Sequence, residues 1–138
     1  MISALIERMP EKAKERASVL LPIALYLLGG LIFFRWQIIS NFDLVFGGGP
    51  DIRLVALIHE HMYRSLNGRV DFLSPPFFFN QTKTLGFSDA FILDQLTYAP
   101  LRVLGAEPFL ALSLTAMVLS AISYSFIYLL LRRLDVFL

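Results

Sequence analysis

Two long apolar stretches divide an otherwise mixed sequence of 138 residues. The first extends from about residue 17 to 36, and residues 19–34 within it carry no charge. The second extends from about 108 to 131 and ends abruptly at two arginines. A helix rises about 1.5 Å per residue, so about twenty residues cross the roughly 30 Å apolar core of a bilayer. The pattern predicts an all-α membrane protein with two transmembrane helices, 17–36 and 108–131.

The leader, residues 1–16, places apolar side chains at helical spacing, with charged side chains between them. It is either an amphipathic helix on the membrane surface or a solvated segment. A basic region before an apolar one is also typical of a signal peptide, but no small-residue cleavage site follows residue 36. We therefore interpret 17–36 as a retained span.

Composition supports the membrane interpretation. Hydrophobic residues make up 57% of the chain and charged residues only 17%. In a soluble domain roughly a quarter of the residues are charged. The formal net charge is +1, without a basic stripe, so nucleic acid is not an expected partner. The chain has no cysteine, which excludes disulfides and thiol chemistry.

Basic residues near the span ends predict the orientation of the chain. Four of them precede the first span, namely Arg8, Lys12, Lys14 and Arg16, and Arg132 and Arg133 follow the second. The long loop, 37–107, holds only five more. We expect both termini, including the tail 132–138, on the cytoplasmic side of the inner (plasma) membrane, with the loop external or periplasmic.

The loop itself shows two further helical patterns. Glycines 47–49 and Pro50 break the helical pattern that begins with the first span, and a helix near 51–66 follows. Its predicted apolar side is formed by Leu54, Leu57, Ile58, Met62 and Leu66. A second surface helix is expected near 88–104, with Ser88 as its N-cap and Asp89 in its first turn. Pro100 either kinks this helix or divides it in two. Between them, 71–87 is predicted to be irregular, and its three phenylalanines, 77–79, either anchor at headgroups or line a groove for a lipid chain.

Asp43 and Asp51 are the strongest catalytic candidates because both follow the first span closely, near headgroup depth. A carboxylate that is desolvated on one side suits base chemistry. It can also bind a divalent cation that contacts a phosphate. The alternative is structural: Asp43 is a turn residue, and Asp51 caps the helix that it begins.

The run His59-Glu60-His61 looks like a metal motif, but neighbouring helical residues point about 100° apart, and a zinc pair needs a spacing of four. We therefore predict no metal site there. Glu60 or one histidine could instead contact a phosphate or a sugar hydroxyl, with Arg53 and Arg64 close by on the same helix.

Taken together, these segments resemble a known family. The runs FGGGPDIRL, IHEHMYRSLNG and LGFSDAFILDQLTYAPLRVLG, together with the Pro-Pro-Phe stretch, lie within residues 17–133. This region is similar to the N-terminal part of bacterial multi-pass GT-C type glycosyltransferases, the group that includes protein mannosyltransferases and aminoarabinose transferases. The resemblance implies transfer of a sugar from a polyprenyl-phosphate carrier on the external membrane face.

The resemblance also implies roles for residues. An aspartate early in the first external loop serves as base or orients the acceptor in that family. Asp51 or Asp43 occupies that place, and Asp51 is preferred because it begins the first surface helix. Other loop residues hold the carrier phosphate, sometimes through a metal, and here the candidates are Arg53, His59, Glu60 and Arg64.

Family members have many more spans than this sequence. We therefore expect a fragment that is inactive alone, or a subunit completed by further transmembrane helices or other subunits. The alternative is a small two-span interaction or assembly protein without catalytic activity. A transporter or channel fragment is disfavoured because neither span carries an ionisable residue in its centre.

Overall fold

The computed structural model describes residues 10–45, 49–76, 81–87 and 91–134, and this part of the chain is helical without strands. The helices are, in chain order, α1 (Glu11–Phe33), α2 (Arg35–Ile39), α3 (Pro50–Leu66), α4 (Gln95–Val103) and α5 (Pro108–Arg133). A 3₁₀ helix, Thr84–Phe87, lies between α3 and α4. The predicted all-α class is confirmed for the described residues.

Two helix boundaries differ from the sequence prediction. α1 begins at Glu11, so it includes three basic residues that were assigned to the leader, Lys12, Lys14 and Arg16. α4 begins at Gln95 and not near residue 88. Phe91 adopts a left-handed backbone conformation with φ 47°, which a continuous helix from 88 would not allow. The leader's residues 1–9, the phenylalanines 77–79 and the predicted cap at Ser88 lie outside the described residues.

α1 and α5 are long and apolar enough to cross a membrane. None of the most apolar 18-residue window of α1 is buried inside the chain, and only 6% of that of α5 is buried. The core helix of a soluble protein would instead be mostly covered by its own fold. Their leucines, isoleucines and phenylalanines therefore present an apolar surface to the surroundings.

Three tyrosines join α1 and α5. The Tyr26 hydroxyl lies 2.9 Å from the Ser120 Oγ. The Tyr124 hydroxyl donates to the Pro22 carbonyl over 3.0 Å, and that of Tyr128 to the Ser18 carbonyl over 2.6 Å. Four residues forward on α1 correspond each time to four residues backward on α5, so the two helices run antiparallel. This register places the start of α1 beside the end of α5.

Pro22 explains why one of these contacts matters. A proline has no backbone N–H, so Pro22 cannot donate to the Ser18 carbonyl four residues earlier. The hydroxyl of Tyr128 provides the donor in its place. In an apolar surrounding a carbonyl without a donor is costly, so the tyrosine compensates for the proline at the helix contact.

The loop helices pack on the first turns of α5. The register sets Phe33, the last residue of α1, opposite Ser113, so α5 extends past α1 by about one and a half turns. This projecting part carries Ala111 and Leu112, which form a buried cluster with Ala56 of α3 and Tyr98 of α4. α3 and α4 are thereby fixed at one end of the helix pair.

The predicted apolar side of α3 is only partly right. Ile58 and Met62 are buried against Leu85 and Phe91. Leu54, Leu57 and Leu66 are exposed, whereas Ala56, His59 and His61 are buried. The reason is that α3 is covered on two sides, by α4 and α5 and by the segment after it, and a single apolar stripe does not describe two contacts.

We expect Tyr128→Phe to destabilise the α1–α5 pair by about 1 kcal/mol, within the range of hydrogen bonds between membrane helices. In a Pro22→Ala background the cost should be much smaller, because residue 22 then donates to the Ser18 carbonyl itself. Unfolding in mixed micelles, followed by circular dichroism, measures both values. An equal cost in the two backgrounds would contradict this account.

Candidate functional site

Polar side chains line the contact between α3 and α4. On one side are Asp94, Tyr98 and Arg102, which are spaced four apart and therefore share one face of α4 and the turn before it. On the other side are His59, Glu60, Tyr63 and Arg64 of α3. We call these seven residues the polar seam.

Glu60 is the centre of the polar seam. Its carboxylate accepts hydrogen bonds from Arg102 Nε at 2.9 Å and Nη2 at 3.3 Å, from Arg64 Nε at 3.1 Å and from the Tyr98 hydroxyl at 3.2 Å. The side chain is 16% exposed. Arg102 also donates to the Ala106 carbonyl and lies over the ring of Tyr63. Glu60 thus ties α3 to α4 and to the connection that leads into α5.

These contacts set the protonation states. Burial raises the pKa of Glu60, but the hydrogen bonds from Arg102, Arg64 and Tyr98 outweigh burial, so its pKa lies below the usual range. Burial, followed by the charge of Glu60, raises the pKa of Tyr98. The hydrogen bond to Glu60 raises the pKa of Arg102. At neutral pH the guanidinium groups of Arg64 and Arg102 therefore face the single carboxylate of Glu60.

His59 and Asp94 form the second part of the polar seam. The His59 ring is 1% exposed and stacks on Phe91, with ring centroids 5.0 Å apart. Its Nδ1 lies 2.8 Å from the Val55 carbonyl, which can only accept, so this nitrogen carries the hydrogen. The other nitrogen, Nε2, lies 3.4 Å from Asp94 Oδ2 but makes no hydrogen bond among the described residues. The two groups attract each other only when the imidazole is protonated, because Nδ1 carries the hydrogen of the neutral ring.

The Asp94 carboxylate lies between solvent and the buried His59 ring. Asp94 occupies the N-cap position of α4, yet its side chain makes no capping hydrogen bond. Its carboxylate is 31% exposed and turned toward the buried imidazole. A carboxylate in contact with solvent on one side and with a histidine on the other can accept a proton from a bound hydroxyl.

Three of the candidate residues predicted from the sequence meet in the polar seam, namely His59, Glu60 and Arg64. Asp51 is exposed in the first turn of α3, and the N-cap position belongs to Gly49. Nine residues separate Asp51 from Glu60, which places them on opposite sides of the helix, about 13 Å apart along its axis.

Arg53 and Asp43 also lie outside the polar seam. Arg53 is exposed on the same side of α3 as Glu60, but two turns earlier. Asp43 is exposed after α2, where its backbone N–H donates to the Ser40 carbonyl. The predicted divergence of the two histidines is confirmed, since His61 Nε2 contacts the Phe72 carbonyl at 3.2 Å, away from His59.

The sequence prediction missed Asp94, Tyr98 and Arg102. Their spacing of four in a helical segment was the available signal, because it places an acid, a phenol and a base on one helix face. The apolar residues between them are equally typical of an amphipathic surface helix, which is what the sequence analysis predicted.

Comparisons with protein-family models, curated proteins and solved structures find no match for this chain. Its class therefore follows from its own geometry: a helical chain with two helices that could cross a membrane and a polar seam at one end of that pair.

Replacing Glu60 by Gln should lower the stability by about 2 kcal/mol near neutral pH, because hydrogen bonds to a charged group are lost. The pKa of Glu60 is lowered in the folded state, so its stabilising effect is present above the unfolded-state pKa of about 4.3 and fades as the pH falls below it. The stability difference between the parent and Glu60→Gln should therefore shrink in strong acid.

Thermal unfolding in detergent at a series of pH values measures this difference. Asp51→Asn is the matched control, because it removes an exposed carboxylate of the same helix outside the polar seam. A Glu60→Gln variant as stable as the parent at neutral pH would show that the polar seam does not hold α3 and α4 together.

Proposed function

We propose that α1 and α5 cross the inner (plasma) membrane as an antiparallel pair. The start of α1 and the end of α5 are then cytoplasmic, and α3 and α4 lie on the external face. The antiparallel register supports this arrangement, because it brings the start of α1 and the end of α5 to one level. Both of these ends are basic, with Lys12, Lys14 and Arg16 on one and Arg132 and Arg133 on the other.

Within that arrangement, we propose that the chain is the N-terminal part of a GT-C type glycosyltransferase that uses a polyprenyl-phosphate-linked sugar. The observation that carries the proposal is the pair of arginines around Glu60 at the end of the two spans. Arginine binds phosphate oxygens through a planar fork of donors. Arg64 is 57% exposed, so a carrier phosphate can reach it from the membrane surface.

The chemistry divides between the two parts of the polar seam. In sugar transfer an acceptor hydroxyl attacks the anomeric carbon, the bond from that carbon to the phosphate oxygen breaks, and the phosphate leaves as an anion. Arg64 would stabilise the negative charge on the leaving phosphate, while Arg102 holds the Glu60 carboxylate beside it. A base must take the proton of the acceptor hydroxyl close to the same sugar ring.

The candidate bases differ in how close they lie to the two arginines. Asp94 precedes Tyr98 by one turn of α4 and therefore lies nearer the arginines than Asp51, which faces the other side of α3. We therefore propose Asp94, with His59 behind it, as the base that the polar seam supplies. Asp51 and Asp43 remain predictions from the family resemblance, as does a divalent cation. Further transmembrane helices or subunits would complete the pocket for the lipid chain.

We expect the chain in vesicles to bind a polyprenyl phosphate, and Arg64→Gln to lose most of that binding. Arg64→Lys should bind at an intermediate level, because it keeps the charge without the fork. Arg53→Gln is the control, an exposed arginine about three turns from Arg64 and outside the polar seam, which should bind like the parent. Titration with a fluorescent polyprenyl phosphate measures this. Equal binding by all four proteins, or none by the parent, would favour the two-span assembly protein instead.

The proposed orientation predicts which positions an impermeant maleimide can label in intact spheroplasts. The chain has no native cysteine, so single substitutions report cleanly. Asn67→Cys, exposed at the end of α3, should react, and Arg133→Cys, exposed at the end of α5, should react only after permeabilisation. The opposite result would invert the topology.

A further inference from the structure

Two acceptor atoms lie side by side in the polar seam. His59 Nε2 is 3.4 Å from Asp94 Oδ2, and the His59 side chain is 1% exposed. Because Nδ1 keeps its hydrogen on the Val55 carbonyl, a neutral imidazole leaves Nε2 as an unprotonated acceptor beside the carboxylate. Two acceptors at this distance repel each other, and the burial of one of them weakens screening by water. A hydrogen on Nε2 turns this repulsion into an ion pair.

The described part of the chain offers no other donor to Nε2, which is buried and makes no hydrogen bond there. The Gln95 side chain donates its amide nitrogen to the His59 carbonyl over 3.3 Å. The ring of Tyr98 lies 5.1 Å from the imidazole, but its hydroxyl donates to Glu60. Phe91 stacks on the imidazole and has no donor on its ring. A proton satisfies both acceptors and needs no additional space.

The charges around His59 leave Asp94 as its counterion. Among the described residues, the titratable or charged side chains that α3 and α4 bring to this contact are Asp94, Tyr98, Arg102, Glu60, Tyr63 and Arg64. Both arginines pair with Glu60. The other elements that pack on α3 do so through uncharged side chains, namely Leu85, Phe91, Ala111 and Leu112. In this part of the chain Asp94 has no ion-pair partner other than His59.

Asp94 also has a second position open to it. It is the N-cap residue of α4, yet its side chain accepts no hydrogen bond from the start of that helix. Its backbone angles are helical, with φ −65° and ψ −24°, whereas an aspartate that caps a helix usually has an extended backbone and accepts from the second or third helical N–H. Those N–H groups belong to Leu96 and Thr97. The carboxylate can therefore pair with a charged His59 or cap the first turn of α4.

We propose that His59 and Asp94 form a proton-binding site that controls the contact between α3 and the start of α4. Near neutral pH the site holds one proton, so His59 is an imidazolium ion paired with the Asp94 carboxylate. At alkaline pH the proton leaves Nε2 for solvent by way of Asp94, which is 31% exposed. The pair thereby loses one positive charge, and the released carboxylate turns to cap α4. This site goes beyond sugar transfer and depends only on the geometry of the polar seam.

Nitrogen-15 NMR of ring-labelled histidine, with the chain in detergent micelles, tests the proton site. The chain has two histidines, whose neutral forms differ: the hydrogen is on Nδ1 in His59 and on Nε2 in His61, which contacts the Phe72 carbonyl. Near neutral pH both ring nitrogens of His59 should be protonated in the parent. In Asp94→Asn the Nε2 signal should move far downfield to the unprotonated position, because an amide can donate to a neutral imidazole.

Asp51→Asn is the matched control. It removes an exposed carboxylate of the same helix outside the polar seam and should leave both His59 signals where they are in the parent. An unprotonated Nε2 in the parent near neutral pH would overturn the proposal, as would an imidazolium that persists in Asp94→Asn. Circular dichroism checks that the variants keep their helices, and the signals of the parent decide the question even if a variant does not fold.

The backbone amides of Leu96 and Thr97 report the movement of Asp94. In the parent, their signals should shift on alkaline titration with the same midpoint as the His59 ring, because the released carboxylate begins to accept from them. In Asp94→Asn they should not follow this titration. Amide signals that stay constant while the His59 ring titrates would overturn the proposed control of α4. Neither readout requires a sugar donor, so failure of the proposed transferase activity would leave this test unaffected.

Discussion

The pairing of α1 with α5 through tyrosine hydroxyls is the constraint on which the rest of the structure depends. A proline within an apolar helix removes one backbone donor, and Tyr128 replaces it from the neighbouring helix. Tyr124 donates to the carbonyl of Pro22 itself. These contacts fix the antiparallel register, and a change of register would break all of them.

The register has a consequence at the far end of the pair. Because α5 is longer than α1 and is aligned with it at the basic ends, its first turns project beyond Phe33. Ala111 and Leu112 on this projection give α3 and α4 a surface to pack on. Glu60 then links the two loop helices by accepting from both arginines and from Tyr98. The position of the polar seam is thus set by the difference in length between α1 and α5.

The sequence was sufficient for the two long helices and for α3, because uncharged runs and glycine–proline breaks are strong local signals. It was weaker for α4, whose start depends on the left-handed conformation at Phe91 and not on a cap residue. For the site, the His59, Glu60 and Arg64 candidates could be found because all three lie close together on one predicted helix.

Arg102 could not be assigned to Glu60 from the sequence, because the two residues are 42 positions apart and meet only through the packing of both loop helices on α5. The same holds for His59 and Asp94, which approach only across the α3–α4 contact. Asp51 and Asp43 were candidates because they follow the first span closely in the sequence. In the structure neither residue lies in the polar seam, since Asp51 is on the opposite side of α3 from Glu60 and Asp43 follows α2.

Extraction of membranes tests the central claim most directly, because the proposed placement of α1 and α5 sets their exposed apolar surfaces in lipid. After washing with alkaline carbonate and urea, the chain should remain in the membrane pellet and enter solution only with detergent. Recovery of the chain as a stable monomer in detergent-free buffer would contradict the account.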